Sequence, residues 1–112
     1  MCGLGGFIRF SGAGPAVGRE ALERMGDATR HRGPDGFGSW MSPEGRVGFV
    51  HNRLAIVDLA PLAAQPMSNE AGTVVVAFNG EIYNHRALRR ELESLGHKFL
   101  SDHSDTEVLI YG

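Results

Sequence analysis

Apolar residues in the N-terminal half of this chain alternate between helical and strand-like spacing, separated by glycine and proline. Leu22 and Met25 stand three positions apart among polar residues, which is the spacing of one helical face. The apolar stretches on either side of Pro43 are short and extended, as in two strands joined by a turn. The predicted elements are a strand over 3–10, a loop over 12–18, a helix over 19–28, a loop over 31–38, strands over 37–41 and 46–51 joined by the turn 42–45, and an extended segment over 54–59.

A run of three valines at 74–76 is the strongest strand signal in the C-terminal half. An uninterrupted apolar run is typical of a strand that is buried on both faces, so we predict such a strand over 73–78. The strand ends at Asn79-Gly80, and an extended pattern resumes over 81–83. Taken alone, an Asn-Gly pair favours a two-residue hairpin turn at this point.

Two helices are predicted after this strand. Asn84 can cap a helix over 84–95, and Gly96 ends it. Ser104 and Glu107 have the spacing of a capping box ahead of the apolar residues 108–110. Because the chain stops within that apolar helical pattern, we expect its 112 residues to be part of a longer domain.

The composition is that of an ordinary globular protein and argues against several classes. Apolar residues make up 42% of the chain and charged residues 21%, with a net charge of −2. There is no basic stripe, which argues against a nucleic-acid partner, and no apolar run approaches the roughly 18 residues of a membrane span. The N-terminus lacks a cationic segment followed by an apolar one, so we expect no secretion signal and a cytoplasmic location.

The chain has one cysteine, Cys2, which excludes an internal disulfide and any zinc site built on a cysteine pair. A small residue at position 2 permits removal of Met1, which would leave a thiol and a free α-amine on one residue. An α-amine has a pKa of about 7.7–8.0 and can act as the general base for its own side chain. A lone cysteine is more often a small buried hydrophobe, so Cys2 by itself is weak evidence for catalysis.

Several segments of the sequence place Cys2 in a wider pattern. MCGLGGF at the N-terminus is followed in order by HRGPDGFG, HNRLAIVDL, QPM, FNGEIYNH and SDTEVL. This ordered set resembles the class II glutamine amidotransferases, which are N-terminal-nucleophile hydrolases, and within them the glutaminase domain of the asparagine synthetases. The resemblance covers essentially all of residues 2–112. It implies an α+β fold, namely a four-layer αββα sandwich of two antiparallel sheets, incomplete here at its C-terminus.

The resemblance also implies the residues of a glutamine site. Cys2 would attack the side-chain amide of glutamine, release ammonia and leave a γ-glutamyl thioester that water hydrolyses. The Asn79 side-chain amide and the Gly80 backbone N–H would form the oxyanion hole. Arg53 would bind the substrate carboxylate, and Asp105 its ammonium group. The other implied pocket residues are Leu54, Ile56, Val57 and Glu81, with the HRGPD loop over 31–35 as structural support.

Some of these assignments have alternatives in the sequence. The stretch FLSDH is one residue longer than the usual connection in the family, so Asp102 competes with Asp105 for the ammonium group, although the wording SDTEV favours Asp105. Taken as isolated residues, Arg53 would be a surface arginine, and Asp105 a carboxylate favoured in a first helical turn. The five histidines have no metal-ligand spacing, so no metal site is expected.

Members of the resembled family join this glutaminase to a synthetase domain that activates aspartate with ATP and Mg²⁺. No phosphate-binding glycine loop of that kind occurs here, so we expect no cofactor in this chain and ATP and Mg²⁺ only in the absent domain. The expected partners are L-glutamine and that C-terminal synthetase domain, with a homodimer as an open alternative. Two further alternatives are a different carboxylate acceptor and an inactive fragment. Missing strands would leave open sheet edges, so we expect the isolated chain to fold poorly and hydrolyse glutamine weakly.

Overall fold

Five strands and three α-helices form the described part of the chain, which is residues 2–11, 18–54 and 64–112 of a computed structural model. The strands make two small antiparallel sheets, so the predicted α+β class is confirmed. The elements in chain order are β1 (Gly3–Ile8), α1 (Arg19–Thr29) followed by a 3-10 turn (Arg30–Arg32), β2 (Gly36–Met41), β3 (Val47–Arg53), β4 (Met67–Ser68), β5 (Val75–Val76), α2 (His85–Ser94) and α3 (Val108–Tyr111).

The larger sheet has β3 at its centre, between β1 and β2. Its antiparallel pairing with β1 sets Gly3 opposite Asn52. Helix α1 covers one face of this sheet, where Leu22 is buried and the Asn52 side chain donates to the Gly26 carbonyl oxygen at 2.6 Å. The start of β1, next to Cys2, is therefore held beside the end of β3.

The turn between β2 and β3 forms where the sequence predicts it. Gly45 has a φ of +68°, a conformation that favours glycine, and its N–H donates to the Ser42 carbonyl oxygen at 2.9 Å. The Ser42 hydroxyl accepts the N–H groups of Arg46 and Val47 at 3.0 and 3.1 Å. These bonds satisfy the turn's own donors and set the register of the two strands.

Helix α2 matches the helix predicted over 84–95 to within a residue at each end. Gly96 has a φ of +98°, and the N–H of His97 donates back to the Leu92 carbonyl oxygen at 3.1 Å, as in a Schellman C-cap. Asn84 occupies the N-cap, but its side chain makes no capping hydrogen bond. The predicted end of the helix is therefore confirmed, whereas its start depends on the backbone alone.

The strand predicted over 73–78 is much shorter in the structure. Only Val75 and Val76 form β5, which pairs with β4 in the described part of the chain, and Val74 is 39% exposed. Val76 packs against a small cluster formed by Met67 and Ile110, so helix α3 covers it on one face. Burial on both faces was the wrong inference, because an apolar run does not show whether a second layer covers its other side.

Helix α3 begins later than the predicted capping box implies. Val108 is its first residue, and Ser104 does not cap it. The Glu107 carboxylate instead accepts the backbone N–H groups of Leu100 and Ser101, at 2.6 and 2.9 Å, and also the Ser101 hydroxyl. The glutamate thus satisfies donors of the preceding loop, which prevents it from reaching back to a helix start.

No helix in the described ranges has the length and apolar character needed to cross a membrane. The predicted loop over 12–18 lies almost wholly outside the described residues, and so does the extended segment over 54–59 apart from Leu54.

Candidate active site

Cys2 lies immediately before β1, where the sheet register brings it to the end of β3. The Leu54 N–H donates to its Sγ at 3.2 Å, and the same sulfur lies 3.7 Å from the Leu54 carbonyl oxygen. The cysteine is half-buried, so its thiol is held in place without being sealed from solvent. A free, partly accessible thiol fixed by a backbone donor meets the spatial requirement of a nucleophile.

Asn79 is directly joined to the same residue. Its Nδ2 donates to the Cys2 carbonyl oxygen at 2.9 Å. A two-residue hairpin turn at Asn79-Gly80 would need positive φ at both residues, but the positive φ values in the described ranges belong to Gly45, Gly72 and Gly96. The hairpin alternative is therefore wrong, and the Asn79 amide faces Cys2.

Asp105 belongs to the same neighbourhood through Ile82. Its Oδ2 accepts the Ile82 N–H at 2.8 Å, and its Oδ1 lies 3.4 Å from the Thr106 hydroxyl. Asp105 is buried, whereas Asp102 is exposed. Of the two competing carboxylates, Asp105, which the sequence SDTEV favours, lies beside the 79–82 segment.

Arg53 ends β3 and lines a cavity of about 270 Å³, together with Gln65 and His51. Its backbone carbonyl oxygen accepts the N–H of Asp35, the last residue of the HRGPD loop, at 2.9 Å. The end of the loop is thereby joined to the backbone of a residue that lines the cavity.

His51 is the buried titratable group of this cavity. It is 1% exposed, and neither ring nitrogen has a hydrogen-bond partner in the described part of the chain. Burial lowers the pKa of His51 below its ordinary value, and the positive charge of Arg53 adds to the lowering. The backbone of Phe78 opposes it in part, without completing a hydrogen bond to the ring. The imidazole is therefore held neutral.

The remaining predicted site residues fall into two groups. Gly80 and Glu81 are exposed and lie in the segment that Asn79 and Ile82 anchor. Ile56 and Val57 lie outside the described residues. The hydrogen bonds therefore bring together Cys2, Leu54 and Asn79 directly, and add Asp105 through Ile82.

Gln65 is a neighbour of this site to which the sequence analysis assigned no role. Its Oε1 accepts the Phe78 N–H at 2.6 Å, and its Nε2 donates to the Thr106 hydroxyl at 3.1 Å. Phe78 precedes Asn79, and Thr106 follows Asp105. The signal that could have revealed this residue is the QPM motif, one of the segments that carry the family resemblance.

No three His, Cys, Asp or Glu side chains within residues 2–11, 18–54 and 64–112 are grouped so that they could hold a metal ion.

Comparison with known proteins identifies the class to which this fold and site belong. The family described as the glutamine amidotransferase domain matches residues 1–111. The chain therefore belongs to that family, and the resemblance seen in its motifs is confirmed.

The relatives give a narrower comparison. The chain is 43% identical, over 98% of its length, to glutamine-hydrolyzing asparagine synthetase 1 of Bacillus subtilis, and covers 17% of that protein. It is 39% identical, over 99% of its length, to glutamine-hydrolyzing asparagine synthetase 3 of the same organism, and covers 18% of it. It is 36% identical, over 98% of its length, to amidase chry2 of Gibberella zeae, of which it covers 17%. The chain thus spans less than a fifth of the length of each of these relatives.

Proposed function

We propose that this chain hydrolyses glutamine to glutamate and ammonia, with Cys2 as the nucleophile after removal of Met1. The observation that carries the proposal is the hydrogen bond of 2.9 Å from the Asn79 amide to the Cys2 carbonyl oxygen. It places a neutral side-chain donor beside the residue that would attack glutamine, and so near the substrate oxyanion that this attack would form. Membership of the glutamine amidotransferase domain family supports the same chemistry.

The proposed reaction begins with transfer of the Cys2 thiol proton to the residue's own α-amine. The thiolate attacks the side-chain carbonyl carbon of glutamine, and the electron pair of the C=O bond moves to oxygen. An amide group has two N–H donors, so Asn79 can hold the Cys2 carbonyl with one and the oxyanion with the other. The Gly80 backbone N–H is the proposed second oxyanion donor.

Collapse of this intermediate breaks the C–N bond, and the leaving nitrogen takes the proton from the α-amine and departs as ammonia. Water then gives a proton to the α-amine and attacks the thioester carbonyl carbon, the C–S bond breaks, and the proton passes to the departing thiolate. Glutamate leaves and the Cys2 thiol is regenerated. The α-amine, with a pKa of about 7.7–8.0, can accept and return the proton near neutral pH. Neither step needs a metal ion.

The two charged groups of the substrate have proposed partners at the edges of this site. The buried Asp105 carboxylate uses one oxygen for the Ile82 N–H and retains acceptor capacity for the substrate ammonium group. Arg53 lines the cavity of about 270 Å³, and its guanidinium is a planar donor suited to the carboxylate. The other residues proposed to contact the substrate are Leu54, Ile56, Val57 and Glu81.

For the complete protein, we propose that residues 2–112 are the N-terminal part of a four-layer αββα domain in the cytoplasm. The released ammonia would serve ATP- and Mg²⁺-dependent synthesis of asparagine from aspartate in a C-terminal synthetase domain. Two relatives named as asparagine synthetases, each matched over less than a fifth of its length, support this. The second candidate is a different carboxylate acceptor, because one relative matched over the same region, amidase chry2, is not named as an asparagine synthetase.

A covalent-labelling experiment tests the nucleophile. A diazo-ketone analogue of glutamine should add once to the native polypeptide, on Cys2, as located by peptide mass spectrometry. The adduct should be absent from Cys2→Ala, and also from protein produced with methionine aminopeptidase inhibited so that Met1 stays in place. Labelling that persists with Met1 present would refute the role of the α-amine as base.

The acceptor is tested separately, by supplying glutamine, ATP and Mg²⁺ together with aspartate. Formation of asparagine in step with glutamate supports the synthetase assignment. Glutamate formation without asparagine overturns that assignment and leaves the glutaminase assignment standing.

A further inference from the structure

We propose that Gln65 is a positioning residue for glutamine hydrolysis, holding the Asn79 and Asp105 sides of the site in register. The inference rests on the proposed function, because it assigns Gln65 a role in that reaction. It starts from the two ends of the Gln65 side chain, which are bonded to two different segments of the site.

Each bond of Gln65 falls next to a proposed functional residue. The acceptor oxygen Oε1 receives the Phe78 N–H at 2.6 Å, one residue before Asn79. The donor Nε2 reaches the Thr106 hydroxyl at 3.1 Å, one residue after Asp105. A single amide therefore connects the proposed oxyanion side of the site to the proposed ammonium side.

The connection is one part of a closed set of hydrogen bonds. The 78–82 segment is fixed at its start by Gln65 and at its end by Asp105, which accepts the Ile82 N–H at 2.8 Å. Between these anchors, Asn79 bonds the Cys2 carbonyl oxygen. Without Gln65, the hydrogen bonds of the described residues would join Asn79 to Asp105 only through Ile82, and the backbone just before Asn79 would lose its side-chain anchor.

Gln65 is itself fixed by the larger sheet. Its backbone carbonyl lies so close to Gly38 of β2 that a Cβ at Gly38 would overlap it. Its partner Thr106 is 4% exposed. An anchor whose backbone packs against a strand and whose side chain bonds a buried hydroxyl can transmit a fixed position to the residues it holds.

The chemistry of the amide explains why glutamine suits this position. One oxygen acceptor and one nitrogen donor are needed at the same time, toward a backbone N–H and a hydroxyl. Methionine has similar length and volume but offers neither a strong donor nor a strong acceptor. Gln65→Met should therefore release both contacts while leaving the packing largely intact, and Thr106→Val should release one of them.

Two readouts separate a positioning role from a general structural one. Hydrolysis of glutamine needs the oxyanion donors and the ammonium partner, whereas alkylation of Cys2 by iodoacetamide needs only an accessible, reactive thiol. A shift of about 1 Å in catalytic geometry can lower a rate by about 100-fold. We expect kcat/KM for glutamine to fall about 10- to 100-fold in Gln65→Met and Thr106→Val, with the alkylation rate within about two-fold of wild type.

The experiment measures both rates in the native polypeptide for these variants and two controls. Thr106→Ser keeps the hydroxyl and should retain most of the activity. Asn69→Ala removes a side chain that caps the exposed turn between β4 and β5, and should leave both rates unchanged. Because Gln65→Met and Thr106→Val break one shared bond, the double variant should be less impaired than the product of the two single losses predicts.

Three results would overturn the inference. One is a Gln65→Met protein with wild-type kcat/KM, and another is a parallel fall of alkylation and hydrolysis, which indicates general disruption. In both cases a wild-type protein that hydrolyses glutamine leaves the proposed function standing. The third is a wild-type protein without glutamine hydrolysis, which overturns the proposed function and the role of Gln65 together.

Discussion

Asn79 donates a side-chain N–H to the backbone carbonyl oxygen of Cys2 at 2.9 Å, although 77 positions separate the two residues in the sequence. The bond is made to the backbone of the proposed nucleophile and leaves its thiol to the Leu54 N–H. Two separate donors thus fix two separate parts of Cys2. These hydrogen bonds bring three distant points of the chain together in one site.

Asn79→Ala should lower kcat for glutamine hydrolysis by about 100- to 1,000-fold, because it removes a proposed oxyanion donor. The change in KM should be much smaller, since the donor acts on the transition state. Ammonia release in steady state measures both constants. The control is Asn84→Ala, which removes an exposed asparagine whose side chain makes no capping bond. Equal kcat values for the two variants would remove Asn79 from the mechanism.

Asp105→Asn should raise KM for glutamine about 10- to 100-fold, because a hydrogen bond to a charged group contributes about 1.5–3 kcal/mol. The amide has the size of the carboxylate but lacks the charge that the substrate ammonium group requires. Asp102→Asn is the matched control, since that carboxylate is exposed. A larger rise in KM for Asp102→Asn would reverse the assignment.

Glu107→Gln should lower the free energy of unfolding by about 2–3 kcal/mol. The buried carboxylate accepts two backbone N–H groups and one hydroxyl, and an amide would turn its own donor toward one of those donors. Thermal or urea unfolding of the native polypeptide measures the loss. Glu23→Gln, on the exposed side of α1, should be nearly neutral. Equal stability of the two variants would show that the loop donors find other acceptors.

Stability should fall with acidification through His51. Burial lowers the pKa of His51, so the folded state favours the neutral ring, while the unfolded chain binds a proton near pH 6.5. The stability that the fold gains by keeping His51 neutral is fully present above about pH 6.5 and is lost as the pH falls below it. The drop in Tm between pH 7.5 and pH 5.5 should therefore be smaller in His51→Gln than in wild type. The exposed His31→Gln variant should keep the wild-type drop, and a wild-type drop in His51→Gln would contradict the assignment.

Gly38→Ala should destabilise the protein by about 1–3 kcal/mol, because a Cβ at this position overlaps the Gln65 carbonyl oxygen. The backbone at Gln65 has to move to accommodate it. Gly36→Ala, on the same strand, is the matched control, since its Cβ would lie 3.6 Å from the Arg53 Cβ in ordinary contact. Unfolding curves of the two variants give the comparison, and equal midpoints would show that the Gln65 segment yields without cost.

Local features of the fold could be predicted from the sequence because local chemistry determines them. The turn over 42–45 depends on Ser42 and Gly45, which satisfy its donors and its positive φ. The end of α2 depends on Gly96 for the same reason. Features decided by contacts distant in sequence were predicted less well. The Glu107 carboxylate binds loop donors rather than a helix start, and only the packing of that loop could show this.

The residues of the site also differ in how far the sequence could identify them. Cys2, Asn79 and Asp105 were found through the family resemblance of their motifs, and no spacing along the chain would have placed them together. Gln65 received no role because its two partners lie 13 and 41 positions away. The QPM motif marks the position, but the bridging role of the amide becomes visible only when both partners have positions in space.

Asn79 hydrogen-bonds the backbone carbonyl oxygen of Cys2, so this contact does not need the sulfur atom of the side chain. A serine at position 2 would keep the same carbonyl oxygen and a side-chain atom for the Leu54 N–H, while removing most of the nucleophilicity. We therefore expect Cys2→Ser to stop the proposed hydrolysis while leaving the pocket intact. A crystal of such a variant soaked in glutamine could display the uncleaved substrate.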